Sequence, residues 1–118
     1  MQGIILVIQY GSQATGHARP GSDVDVAVLA DQPFTLQDKD ALGRDVAKEL
    51  SVSEDMIDMV DIRAASPLLQ QQISTHGKLL RGRPEDWLRW RVSAWKQYQD
   101  TARFRRVREQ SLLKPKHV

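Results

Sequence analysis

Gly11-Ser12 is separated by ten residues from Asp23-Val24-Asp25, and a third carboxylate, Asp58, sits in a second apolar segment. A Gly-Ser turn directly after a strand can converge backbone N–H groups on a phosphate, with the hydroxyl as an added donor. Glycine lets the backbone approach closely. Asp23 and Asp25 are two apart, so on a strand both side chains leave the same face. Like charges held that close raise each other's pKa, and hard dications that favour carboxylate and phosphate oxygens resolve the conflict. A pair of Mg²⁺ ions about 3.5–4 Å apart clamps both the attacking and the leaving oxygen of an in-line displacement. A third acid from a neighbouring strand would complete one metal's shell and accept the nucleophile's proton. This is the equipment of nucleotidyl transfer.

The elements that must position these groups are legible in the hydropathy pattern. Residues 4–10 are β-branched and apolar and read as a buried strand, ended by the turn-prone stretch 11–22 with a possible helical turn from Ser12 to Thr15. Residues 23–30 alternate, with Val24, Val26 and Val28 on one face and Asp23, Asp25 and Ala27 on the other. Thr35 followed by Asp38 resembles a capping box that opens a helix to about Leu50, whose Leu42, Val46 and Leu50 would face the sheet. Residues 57–62 form a third strand. Ser66 as N-cap and Pro67 at the first helical position start another helix, which Gly77 would end in a left-handed cap. Lys78-Leu79-Leu80 reads either as a short extra strand or as the lead out of that helix.

From Glu85 a long helix is expected, with Trp87, Leu88, Val92, Ala94, Trp95, Tyr98 and Ala102 in one broad apolar stripe. The stripe loses register at Arg103-Phe104-Arg105-Arg106-Val107-Arg108, and Lys114 to Val118 reads as a disordered tail. The expected organisation is one domain: a core over 1–82, a basic amphipathic helix over 83–111 and a tail over 112–118.

Composition narrows the chemistry further. No cysteine is present among the 118 residues, so disulfides and thiolate metal sites are excluded, and three scattered histidines do not point to a zinc site. The apolar opening run is too short for a membrane span, which takes ~20 residues, and no secretory leader is seen, so a cytoplasmic protein is expected. Net charge of +2 conceals polarity. Residues 1–80 hold 6 Lys/Arg against 11 Asp/Glu, whereas residues 81–118 hold 11 against 4. An acidic front suits metal-bound chemistry, and a basic back suits docking or a solvated helix face.

Tyr10-Gly11-Ser12-Gln13-Ala14-Thr15-Gly16 with Ser22-Asp23-Val24-Asp25-Val26-Ala27-Val28 resembles the Gly-Ser-x10-Asp-x-Asp signature of the DNA polymerase β-like nucleotidyltransferase superfamily. The small size and the segment Val60-Asp61-Ile62-Arg63-Ala64-Ala65-Ser66-Pro67 are similar to the minimal nucleotidyltransferase (MNT) antitoxins, encoded beside a HEPN-domain RNase toxin. The resemblance spans roughly residues 4–82. It implies an α/β (α+β) fold, a small mixed sheet flanked by helices. It also implies that Asp23, Asp25 and Asp58 are the catalytic, metal-binding acids, that Gly11 and Ser12 hold the triphosphate, and that AMP passes from ATP to a tyrosine of the partner toxin. Asp58 and Asp61 are three apart, so they face opposite sides of a strand and only one can join the site. The family pattern of apolar-Asp-apolar at the strand start favours Asp58 and leaves Asp61 to cap or pair at the strand end. Relatives usually carry a helix before the first strand, whereas this sequence begins almost on the strand, so a protein that leans on its partner for stability is expected.

Other features carry weaker expectations. His17 and Arg19 lie in the loop within reach of a triphosphate, although surface loop residues more often do nothing specific, and no Walker-type Gly-Lys-Ser/Thr is present. His76 reads as structural, and Trp87, Trp90 and Trp95 as core or interface rather than base-stacking groups. Nucleic-acid binding by Arg103 to Arg108 is not favoured, because a basic helix end also suits a solvated face or an acidic partner. The rival readings are an antitoxin that neutralises by contact alone, an aminoglycoside-type small-molecule transferase and an RNA-tailing enzyme.

Overall fold

The β-branched run at the start of the chain is buried as expected, and the rest of the sheet is built around it. A computed structural model describes residues 3–11 and 23–113, with the backbone alone for 103–113. Expectations for Ser12, the 12–15 turn, His17, Arg19, the 114–118 tail and the Arg103–Arg108 side chains fall outside the described residues. The elements are β1 (Ile4–Tyr10), β2 (Val24–Ala30), α1 (Leu36–Leu50), β3 (Ile57–Asp61), α2 (Pro67–His76), β4 (Lys78–Arg81) and α3 (Pro84–Leu113). The described strands form one sheet in the order β3-β2-β1-β4. β1 is antiparallel to β2 and to β4, and β2 is parallel to β3. The helix α1 makes the crossover that a parallel pair requires.

Strand periodicity divides the core in two. Val7, Val24, Val26 and Val28 meet Leu42 and Val46 of α1 on one face. Leu6, Ile8 and Ala27 meet Ile62, Ile73, Trp87 and Trp90 on the other, under α2 and α3. Leu6, Val7, Ile8, Val26, Ala27, Leu42, Val46 and Ile73 have no exposed surface, so truncating any of the larger ones leaves a cavity.

Local signals hold at the helix starts. Thr35 and Asp38 form a reciprocal capping box, each accepting the other's backbone N–H at 3.1 Å. Ser66 Oγ accepts from Leu69 N, with Pro67 in the first turn of α2. The third strand stops at Asp61, one residue earlier than expected, because residues 62–64 turn into a 3₁₀ helix. The long helix begins at Pro84 and continues to Leu113, two residues past the expected end.

Two expectations need correction. Gly77 does not form a left-handed cap: its φ of −71° and ψ of 151° are extended. Glycine is required there for space, since a Cβ would run into the Ile73 carbonyl oxygen and would sit 2.7 Å from Ile8 Cγ2. Gly77→Ala should therefore destabilise the fold by about 1–3 kcal/mol, read as a lower urea midpoint at unchanged slope. The left-handed cap in this structure belongs to Ser51, which closes α1 at φ 58° and ψ 42°.

The apolar stripe of α3 is also not a single buried face. Trp87 and Trp90 pack on the core, stacked with ring centroids 5.6 Å apart, and Ala94 is buried. Leu88, Val92 and Trp95 are more than half exposed. The sheet offers one narrow face to this helix, so only one side of the wide stripe finds apolar neighbours. Arg91 fastens the contact by donating from Nε to the Ser74 carbonyl at 2.9 Å, near the end of α2, while lying over the Trp87 ring. No described helix is long and apolar enough to cross a membrane.

Candidate active site

Strand register brings two of the three expected acids together. Asp25 of β2 pairs with Tyr10 across the antiparallel ladder and with Asp58 across the parallel one. Directly paired residues project from the same face, so Tyr10, Asp25 and Asp58 make a row over three strands, at the end of the sheet where β1 enters the 11–22 segment. Asp23 stands one residue ahead of β2 and is exposed. Gly11 closes the row from the other side. Its φ is +79°, and a Cβ there would collide with the Asp25 carboxylate. Any other residue at position 11 would displace the acid it adjoins.

Electrostatics follow from this packing. The Asp25 carboxyl is pushed above its ordinary pKa, first by partial burial, then by the negative charges of Asp58 and Asp23. The Tyr10 phenol is raised by burial and then by the negative charges of Asp25 and Asp58, so it stays protonated at neutral pH and keeps a hydroxyl donor beside the acids. Sequence reasoning passed over Tyr10. The signal was its position, the last strand residue before Gly-Ser, on the parity that register would set opposite Asp25.

Asp61 is elsewhere. It pairs with Val28, three pairs along the ladder from Asp25 and Asp58, and its Oδ1 accepts from Arg63 N at 2.9 Å. It caps the 3₁₀ turn, the role expected of it. Gln70, almost wholly buried, steadies the same turn by donating to the carbonyls of Ile62 (3.0 Å) and Ala65 (3.1 Å). The end of β3 is thus held by side-chain bonds on a different part of the strand from Asp58.

A hard dication fits these donors. They are carboxylate oxygens, and the crowding that lifts Asp25 is the kind a positive charge relieves. The three acids are not, however, gathered into a closed set: among the described residues, no group of three or more His, Asp or Glu side chains is close enough to hold an ion unaided. Substrate phosphate oxygens and water commonly complete the shell of Mg²⁺ bound by one or two carboxylates.

A carboxylate pair beside a strand-end glycine is what the sequence motif implied, and comparison with known proteins decides the family. Residues 1–86 match the family described as polymerase beta, nucleotidyltransferase. The chain belongs to the polymerase beta nucleotidyltransferase family. This nucleotidyltransferase is 37% identical over 83 residues to the protein adenylyltransferase MntA of Shewanella oneidensis, covering 69% of this chain and 56% of MntA. It thus spans about half the length of that curated relative. Among solved structures, a crystal structure of a toxin–antitoxin with AMP-PNP contains a chain that superposes with a TM-score of 0.76 at 29% identity, covering 97% of this chain and 90% of that one. A chain in the structure of the tri-AMPylated Shewanella oneidensis HEPN toxin in complex with MNT antitoxin gives 0.69 at 27% identity, covering 97% and 87%. The resemblance carried by Gly11, Ser12, Asp23 and Asp25 is borne out, and with it the mixed α/β nucleotidyltransferase fold.

Proposed function

We propose that this nucleotidyltransferase is an Mg²⁺-dependent protein adenylyltransferase and antitoxin. In this reading it moves AMP from ATP to a tyrosine hydroxyl of a HEPN-domain toxin in the cytoplasm. The observation that carries the reading is the register of Asp25 with Asp58 beside the steric notch at Gly11. Likeness to MntA and to chains of toxin–antitoxin structures supports the choice of acceptor. Residues 1–82 serve as the catalytic core and 83–111 as its basic helix.

The roles follow from position. Asp23, Asp25 and Asp58 would hold two Mg²⁺ ions, and what the bound ions supply is neutralisation of charge on the α-phosphate and a lower pKa for the acceptor hydroxyl. The backbone at Gly11 and Ser12 holds the β- and γ-phosphates. The acceptor oxygen forms a bond to the α-phosphorus as the bridging bond to the β-phosphate breaks. Its proton passes to Asp58, and pyrophosphate leaves on the Gly11 side.

A second reading rests on a separate observation, the exposed Leu88, Val92 and Trp95 of α3: neutralisation of the toxin by contact alone. One experiment decides between them. Incubation with ATP, Mg²⁺ and a cognate HEPN-domain protein should add whole multiples of AMP mass to that partner. The double variant Asp23→Ala, Asp25→Ala should abolish both the adduct and neutralisation. Neutralisation that survives the double variant would establish the contact reading, and an unmodified partner with the intact enzyme would refute transfer.

A further inference from the structure

We propose that the cavity between the last turns of α2 and the end of β1 is the nucleobase subsite, and that Gln72 selects adenine there. The inference rests on the adenylyltransferase reading and adds where the nucleoside lies and which residue reads it.

Chain direction creates the cavity. β3 leads away from the end of the sheet that holds Asp58, and α2 returns the chain to that end before β4 pairs with β1 at Gln9. α2 covers the face where Leu6, Ile8 and Ala27 are buried, which is also the face of Tyr10, Asp25 and Asp58. Leu69, Gln72 and His76 are spaced three and four apart, so they share one side of this helix. With Tyr10 and Gly11 they line a cavity of about 280 Å³. Tyr10 pairs with Asp25 and Gly11 presses on its carboxylate, so the cavity opens directly beside the acids.

The lining selects a neutral ligand. It holds no Lys, Arg, Asp or Glu among the described residues, and the negative potential at the C-terminal end of α2 repels a phosphate. Tyr10 and Leu69 supply apolar walls, and Gln72 and His76 supply polar groups, the mixture that small-ligand pockets use. A nucleotide with its α-phosphate at Asp25 and its pyrophosphate at Gly11 has one uncharged portion left to place, the nucleoside. In-line displacement reserves the Asp58 side for the acceptor. The nucleoside therefore falls on the β1 side, where the cavity lies.

Gln72 supplies the reading group. Three glutamines follow one another in α2. Gln70 donates to the carbonyls of Ile62 and Ala65, and Gln71 donates to Thr75 Oγ1. Gln72 makes no such bond among the described residues, and it is exposed at the cavity. A carboxamide sets a donor beside an acceptor, which matches the N7 acceptor and N6 amino donor of adenine. Guanine offers two acceptors, N7 and O6, on the same edge, so the amide oxygen would face a carbonyl.

Calorimetry on the full chain with Mg²⁺ and no acceptor tests the subsite. ATP should bind about tenfold or more tighter than GTP, and likewise tighter than 7-deaza-ATP, which has carbon in place of N7. Gln72→Leu should abolish both preferences and leave the melting temperature unchanged, because Gln72 ties nothing together in the fold. Gln72→Trp, which fills the cavity, should weaken ATP about tenfold or more and leave binding of inorganic tripolyphosphate, which has no base, unchanged. Equal affinity of the wild type for ATP and GTP would overturn the subsite while leaving nucleotidyl transfer intact. A preference for ATP that survives Gln72→Leu, or an equal loss of ATP and tripolyphosphate in Gln72→Trp, would do the same. If the wild type binds no ATP at all, the underlying reading fails, and the subsite fails with it.

Discussion

Asp58→Ala should reduce adenylyl transfer by about 10³-fold or more, because it removes both a proton acceptor and a metal ligand. Asp61→Ala should keep most of the activity. The two residues occupy the same five-residue strand, so a general fault in β3 would affect them alike. Their surroundings differ. Asp58 is paired with Asp25, whereas Asp61 is paired with Val28 and spends its oxygen on the Arg63 N–H. Losing that cap should cost about 0.5–2 kcal/mol of stability, visible in the denaturant midpoint and absent from kcat. Single-turnover transfer to the HEPN partner, with both variants at saturating Mg²⁺-ATP, measures the contrast. The opposite outcome, with Asp61 essential and Asp58 dispensable, would place the site at the wrong end of the strand.

Asp25→Asn should also abolish transfer, but it should make the metal-free fold more stable rather than less. The folded carboxyl lies above its ordinary pKa, so the fold disfavours the charged form that prevails at neutral pH. The sign follows from linkage: this group's contribution becomes more unfavourable as pH rises from the ordinary carboxylate pKa through the raised one. An amide of the same shape removes that charge at every pH. Differential scanning without metal should show the variant's Tm above that of the wild type. Added Mg²⁺ with an ATP analogue should raise the wild-type Tm and leave the variant's nearly unmoved. A variant less stable than wild type without metal would mean that Asp25 is a structural acid, and would remove the reason for assigning a cation to it.

Much of the frame could be read directly because the deciding physics is local. The alternation of Val24, Val26 and Val28 with Asp25 and Ala27 assigns faces without knowledge of what covers them. The capping box at Thr35 and Asp38 and the cap at Ser66 depend on contacts three residues apart, so spacing alone announces them. Where a residue's reason lies across the fold, spacing misleads. Gly77 looked like a helix terminator by conformation, yet its requirement is for space, against the Ile73 carbonyl and against Ile8 of β1 across the fold. The α3 stripe looked uniform on a wheel, and the limited width of the sheet divided it into Trp87 and Ala94, which pack on the core, and the exposed Leu88, Val92 and Trp95.

The primary structure alone determined the kind of chemistry: a glycine-serine turn, a same-face pair of aspartates and one more acid in an apolar strand. Residue type and parity are properties of the chain. What only the tertiary structure decided is adjacency, because a parallel register between β2 and β3 depends on how α1 crosses over and packs. That register sets Asp58 rather than Asp61 beside Asp25, puts Tyr10 on the opposite flank and turns the glycine at 11 into the wall of the site.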